Sequence, residues 1–353
     1  MTSVFEDPWL SSLFADAGAA RIWSPQQQLK HMLLVEAAFT RALASVGSVP
    51  VDVGERIAAQ IENFQVDVDD LRHGTARDGL PVPALVAQLK TMAGSDQHAV
   101  HAGLTSQDVM DTALTLTLQT FNSCLFEQLS KVIQDLIGLS ERFGAHDLMG
   151  RTRMQAALPI KVSDRIRTWS EPLKHHLRRL EAMRDQIEVL QFGGAVGNDA
   201  ALGATAPVVR ANMALQLGVR DPMQSWHTMR DGLADYANLL SLITGSVGKM
   251  GHDICLMAQQ GIDEITLSGG GGSSAMPHKQ NPVLAELLVT LARYNATQLS
   301  GMHHALVHEQ ERSGSAWMLE WMILPDMAQA TARNLSAAAD ICAKITDIGT
   351  QRR

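Results

Sequence analysis

The sequence predicts an all-α protein built around a central bundle of long helices. Three observations carry this. Apolar residues recur at steps of three and four over unusually long spans, which is the helical period. Alternating strand patterns are scarce, and aromatic residues make up only 5% of the chain. At 353 residues and 46% hydrophobic content there is enough apolar material for a large core divided among two or three units.

Taken in order, the first hundred residues hold shorter helices. Pro25–Val46 is one, and breaks fall at Val49-Pro50 and within Gly79-Leu80-Pro81-Val82-Pro83. A boundary is expected near His101–Thr105, dividing an N-terminal helical domain (1–103) from a central long-helix bundle (104–353). From Asp108 to about His146 no proline interrupts the chain. Leu114, Leu118, Phe121, Leu125, Leu129, Val132, Leu136, Leu139 and Phe143 form one stripe on a helix far longer than the usual ~11–12 residues. A second stripe follows Asp164, from Ile166 through Trp169, Leu173, Leu177 and Leu180 to Leu190, with Pro172 inside it predicting a kink or an offset start. A third runs from Asp231 to Met257. A fourth follows Asn281-Pro282, with Asn read as the N-cap and Pro as the first helical residue. A fifth covers about Leu324–Ile345. Stripes this long exceed what one thin bundle can bury, so the surplus apolar face predicts a homo-oligomer.

Charge and cysteine usage narrow the function classes. A formal net charge of −8 disfavours a general nucleic-acid surface, so an anionic ligand must be met by local basic groups. The three cysteines, Cys124, Cys255 and Cys342, are far apart, which argues against a disulfide framework or a zinc site and fits a reducing compartment. Neither a secretory leader pattern nor an apolar run of ~20 residues is present, and the expected location is the cytoplasm.

Four polar segments stand between the long apolar runs. In His101–Ala113, Thr105, Ser106 and Asp108 precede the longest helix. They read either as an N-cap or as an anion site made of hydroxyls and free backbone N–H groups, with His101 adding a charge or a proton. In His146–Pro159, Arg151, Thr152, Arg153 and Gln155 crowd beside Gly150 and suit a polyanionic ligand, because guanidinium pairs with carboxylate through two bonds. His146 serves either the fold or the site. The stretch Ser268–Val283, SGGGGSSAMPHKQNPV, is a glycine-rich loop running into a helix. It does not fit a phosphate-binding P-loop, since Lys279 is followed by Gln280. It reads as a linker or as a lid carrying Ser273, Lys279 and Asn281, where serine could transfer a proton and lysine and asparagine could stabilise an enolate-like carboxylate. In His308–Trp321, Glu309, Glu311, Arg312 and Ser313 break the apolar pattern, and Arg312 is the candidate substrate contact.

Together these segments resemble the fumarase/aspartase superfamily. Gly272-Ser273-Ser274-Ala275-Met276-Pro277-His278-Lys279-Gln280-Asn281-Pro282 matches that family's GSSxMPxKxNP loop in full. His101 to Asp108 matches HxGxTSxD, and Gly150-Arg151-Thr152 with Gln155 and Pro159 resembles GRTHxQxxxP. Glu309–Ser313, Trp317, Glu320-Trp321 and Leu324-Pro325, with the opening FEDPWL and RIWSPQQQLKHMLLVEAAF, are similar to the bacterial cycloisomerase branch of protocatechuate catabolism.

The resemblance implies a cycloisomerase converting 3-carboxy-cis,cis-muconate to 4-carboxymuconolactone, with a sulfo-muconate as a further possible substrate, and no cofactor or metal. It implies that Ser273 handles the proton, with Lys279 an alternative acid. Lys279 and Asn281 would stabilise the intermediate, and His101 would bind substrate or relay protons. Thr105, Ser106, Arg151, Thr152, Arg153, Gln155, Ser274, Met276 and Arg312 would bind substrate. It also implies homotetramers whose sites collect segments from three chains.

Two departures matter. Arg153 stands where the lyases carry a histidine that serves the leaving group. A lactonisation has no separate leaving group, so the change favours cycloisomerisation over adenylosuccinate lyase chemistry. Family members also continue into a third, small helical domain. The sequence ends at Arg353, so that domain is expected to be absent or truncated. A non-catalytic structural relative and a helical scaffold with a Gly/Ser linker are the remaining readings.

Overall fold

The computed structural model describes residues 3–350 apart from 270, 273–275 and 277–279. Twelve α-helices are present among the described residues. The N-terminal ones are α1 (Ser11–Phe14), α2 (Ala17–Ile22), α3 (Pro25–Ser45), α4 (Val51–Glu62), α5 (Val68–Asp78) and α6 (Val82–Ala93). Then come α7 (Ser106–Phe143), α8 (Val162–Ile187), α9 (Ala206–Leu217), α10 (Asp231–Met257), α11 (Val283–His304) and α12 (Ser315–Lys344). The start of α3 shows why these boundaries fall where they do: Ser24 Oγ accepts from the Gln27 N–H at 3.3 Å and Pro25 occupies the first helical turn.

Helices α7, α8, α10, α11 and α12 form a bundle around one core. The predicted α7 stripe lies in it: Leu118, Phe121, Leu125, Leu129, Val132 and Leu136 are buried, as are Trp169, Leu173 and Leu180 of α8. Each such leucine contributes about 1.5–3 kcal/mol relative to exposure. Close approach of α10 and α11 depends on glycine. A Cβ at Gly251 would stand 2.7 Å from the Ala285 carbonyl oxygen, and one at Gly248 would stand 2.5 Å from the Ala292 Cβ. A second core gathers Phe39 of α3, Ile57 of α4 and Leu85 of α6 against α9 and the first turns of α7, through Val109 and Ala113.

Helix α8 is one span with Pro172 inside it. Two details differ from the sequence reading. Helix α11 begins at Val283 with Pro282 at the cap position, one residue later than read, while Asn281 pairs its backbone N–H and C=O with Gly271. Two small antiparallel pairs also interrupt the helical pattern. Strands β1 (Asp147–Thr152) and β2 (Gln155–Lys161) make a hairpin directly after α7, and β3 (Ile265–Leu267) pairs with β4 (Ile345–Ile348). The hairpin turn is Arg153-Met154, with φ of 48° and 67°, so both residues sit in the left-handed region. Such a two-residue turn usually takes Asn or Gly.

Candidate active site

The predicted site residues that the structure describes fall into two groups at opposite ends of α7. That helix has 38 residues, so the groups stand about 57 Å apart along it.

The first group lies at the head of α7, its N-terminal end. His101 has a positive φ of 57° and places Nδ1 2.6 Å from Glu36 Oε1. Glu36 is fully buried, and a carboxylate only accepts, so Nδ1 carries the proton and Nε2 is the ring atom without a partner among the described residues. Thr105 is the N-cap residue, and its N–H donates to Asp108 Oδ2 at 2.9 Å, as in a capping box. The same oxygen accepts the Gly194 N–H at 2.9 Å, and Asp108 Oδ1 stands 2.8 Å from His227 Nε2. Asp108 is therefore saturated and belongs to the scaffold. Ser106 opens the helix. Arg312 joins this group from the loop before α12: its Nε donates to Gln107 Oε1 at 3.0 Å and its Nη2 to the Gly194 carbonyl at 3.4 Å.

Behind this head is a buried ionic network that the sequence reading missed. Arg230 donates through Nη1 and Nη2 to Asp111 at 2.6 and 3.1 Å, and through Nε and Nη2 to Glu320 at 2.9 and 2.5 Å. Trp317 Nε1 adds a bond to Asp111 Oδ1 at 3.1 Å. Burial pushes the Arg230 guanidinium down, but Asp111 and Glu320 outweigh it and hold it above the ordinary arginine range. Burial likewise pushes Glu320 up, while His308 and Arg230 outweigh it and hold its carboxyl below the usual carboxylate value. The signal available was polar residues Gln107, Asp108 and Asp111 at the start of an otherwise apolar stripe. Their partners Arg230 and Glu320 are more than 90 residues away in the chain and carry no local mark of pairing. An apolar cavity of about 290 Å³, lined by Trp23, Met32, Leu114 and Trp321, flanks Asp111 and Glu320 on the side of α3.

The second group lies past the other end of α7. Arg151 forms an ion pair with Glu264, the residue before β3, so its charge is compensated within the chain. Thr152, Arg153 and Gln155 are exposed at the hairpin tip, and Arg153 has no partner among the described residues. Met154 and Leu158 beside them are 66% and 73% exposed. His146 is held by the fold: its Nδ1 stands 2.8 Å from the Ile348 carbonyl oxygen, as a donor to it. The glycine-rich loop springs from this same end, because Ser268 bonds the Lys344 carbonyl at 2.7 Å. Its base is closed by the reciprocal pair between Gly271 and Asn281, both at 3.0 Å. A Cβ at Gly271 would meet Val283 Cγ2 at 2.5 Å, which is why glycine stands there. Met276 is exposed at 43%, while Ser273, Ser274 and Lys279 lie outside the described residues.

Among the described residues no cluster of His, Cys, Asp or Glu is arranged to hold a metal, and no helix is long and apolar enough to cross a membrane. The three cysteines are free thiols. Burial pushes Cys255 up to about 11 and Cys342 up to about 12, so both are protonated at neutral pH.

Residues 8–295 match the lyase family. The chain is 36% identical over 345 residues to a 3-carboxy-cis,cis-muconate cycloisomerase of Pseudomonas aeruginosa, covering 96% of this chain and 75% of that protein. It is 34% identical over 340 residues to the enzyme of the same name from Acinetobacter baylyi, covering 94% and 75%. Its backbone superposes with a TM-score of 0.88 on the crystal structure of a 3-carboxy-cis,cis-muconate lactonizing enzyme from Pseudomonas putida, at 34% identity, covering 96% of this chain and 77% of that one.

Proposed function

The chain belongs to the lyase family, the fumarase/aspartase superfamily, and from that premise we propose that it is a lactonising cycloisomerase acting on 3-carboxy-cis,cis-muconate. The observation that carries this reading is the anchored Arg312 at the head of α7, in a chain of this kinship. An acidic protein of net charge −8 presents there an exposed guanidinium, beside a helix start, in one cluster joined by hydrogen bonds.

In the reaction one substrate carboxylate adds an oxygen to a carbon of the conjugated diene, and the neighbouring carbon takes a proton. One C–O bond and one C–H bond replace a π bond, nothing leaves, and the product is an isomer of the substrate. A tricarboxylate needs several anion contacts. Arg312, Thr105 and Ser106 supply one set, with His101 Nε2 beside them. Arg153, Thr152, Gln155 and Arg151 supply a second. Ser273 or Lys279 delivers the proton, Lys279 and Asn281 stabilise the aci-carboxylate, and Ser274 and Met276 complete the loop's contacts. No cofactor takes part.

One chain cannot assemble this site, because the head and the hairpin are separated by the length of α7. We therefore propose a homotetramer in which hairpin, loop and head meet across subunits. The exposed Met154 and Leu158 at the hairpin tip support this, as apolar surface that a neighbour would cover. The location is the cytoplasm and the pathway is protocatechuate catabolism.

The test is an ultraviolet assay that follows loss of the diene of 3-carboxy-cis,cis-muconate, with adenylosuccinate in a parallel cell. Rapid loss of the diene alone is expected. Turnover of the succinyl substrate instead would move the protein to the eliminating lyases. Light scattering that gave an active monomer would overturn the shared site.

A further inference from the structure

We propose that Gln107 is the positioning residue for Arg312, and that the buried Asp111–Arg230–Glu320 triad fixes which way its amide faces. The proposal rests on the reading of Arg312 as a ligand for a substrate carboxylate.

A primary amide has one accepting oxygen and two N–H donors. Gln107 Nε2 stands 3.1 Å from Asp111 Oδ2 and 2.9 Å from the His227 carbonyl oxygen. Both neighbours are acceptors, so both amide hydrogens are used and the oxygen must point the other way. There it receives Arg312 Nε at 3.0 Å. A flipped amide would set oxygen against two acceptors and an NH₂ group against a guanidinium. Only one orientation is compatible with this surrounding. Gln107 is fully buried, so water cannot replace the lost bonds.

Asp111 is itself unable to turn. Its two oxygens take Arg230 Nη1 and Nη2 and Trp317 Nε1, and Glu320 grips Arg230 from the other side. A chain of rigid links thus runs from Glu320 through Arg230, Asp111 and Gln107 to Arg312. Arg312 is the one exposed member of that chain. A free arginine on a loop must give up rotamer freedom when it binds a ligand. Holding its Nε beforehand removes part of that cost. Arg312 Nη1, with no partner among the described residues, is left to meet the ligand.

The test compares wild type, Gln107→Met, Arg312→Ala and the double variant in steady-state turnover of 3-carboxy-cis,cis-muconate. Methionine keeps the volume and removes donors and acceptor. Gln107→Met is expected to raise KM about tenfold with kcat within about threefold, the mark of lost binding shared by ground and transition states. The double variant is expected to be no worse than Arg312→Ala, because Gln107 acts through Arg312. An unchanged KM in Gln107→Met, or additive losses in the double variant, would overturn the proposal. A merely structural role would lower kcat or the melting temperature without that split. If Gln107→Met does not fold, Gln107→Glu takes its place, since its second carboxylate oxygen would face Asp111 and the His227 carbonyl. If wild type leaves this substrate untouched, the functional reading fails, and crystal structures of wild type and the Gln107 variant decide the positioning role. Arg312 displaced from Gly194 supports it, and Arg312 unmoved refutes it.

Discussion

The head of α7 and the hairpin end beyond its C-terminus are built on opposite plans. At the head, the charges behind the helix start are buried and paired within the chain: Arg230 lies between Asp111 and Glu320, and Asp108 holds two backbone N–H groups and His227. At the hairpin end, polar side chains stand in solvent on a two-residue turn, and the apolar residues beside them are exposed. The head is organised by folding alone. The hairpin end has its backbone fixed and the side chains of its tip, Thr152, Arg153 and Gln155, in solvent, as suits a surface completed by another chain. Lesions at the two ends should therefore fail differently.

The largest expected effect is on chemistry with stability intact. Ser273→Ala should lower kcat by about 10²–10⁴-fold, the usual worth of a general acid. Its urea midpoint should match wild type. Turnover within a few-fold of wild type would remove Ser273 from proton transfer and leave Lys279 as the acid. The complementary lesion is Glu320→Ala, which leaves Arg230 with half its compensation in a buried site. A broken buried pair costs about 3–5 kcal/mol, so the urea midpoint should fall steeply. A change under about 1 kcal/mol would mean that water reaches Arg230 and that the head is not the rigid element argued above.

The same contrast explains what was legible in the sequence. Helical stripes survive translation into structure because a period of 3.6 is imposed by burial along the whole element, so α7, α8 and α10 appear where their leucines recur. The hairpin was hidden. Its turn uses Arg153 and Met154 at positive φ, with neither Asn nor Gly to announce it, and its register carries a bulge between Met149 and Arg151. Arg312 was visible as a cation in a polar break. Its holder Gln107 was not, because an amide inside a helix reads as a surface residue until its distant partners are known. Arg151 read as a ligand contact, and its pairing with Glu264 was hidden because the two stand far apart in the chain.

A smaller effect separates the ends directly. Arg153→Ala at the hairpin and Arg312→Ala at the head should each reduce kcat/KM by at least about tenfold, the worth of a charge-assisted hydrogen bond. Refolding the two inactive proteins together should restore part of the activity, because mixed assemblies contain some sites free of both lesions. No recovery in assemblies shown by mass spectrometry to be mixed would mean that head and hairpin do not share a site. Arg153→Ala should also alter the preference between carboxy- and sulfo-muconates, and an unchanged preference would show that Arg153 does not meet that group.

The smallest effect lies between the two ends and depends on one chain only. His176, halfway along α8, is buried with Nε2 2.8 Å from Ser246 Oγ on α10 and Nδ1 3.1 Å from Arg179 Nη1. A guanidinium only donates, so Nδ1 accepts and the ring is neutral. Burial, then Arg179 and His175, push its pKa down from 6.5 to about 4. Between those values the unfolded chain binds a proton that the folded chain refuses. Stability is therefore complete above about pH 6.5 and is lost as pH falls toward about 4. After discounting for solvent screening, the loss is about 1–2 kcal/mol. Urea midpoints at pH 7.5 and pH 5 measure it, and His176→Gln, which can still bond Ser246, should shrink the difference. Because its bonded partners are all in the same chain, the shift should not depend on protein concentration. A concentration-dependent shift would place His176 against a neighbouring subunit, and would extend to the middle of the bundle the dependence on assembly proposed for the hairpin end.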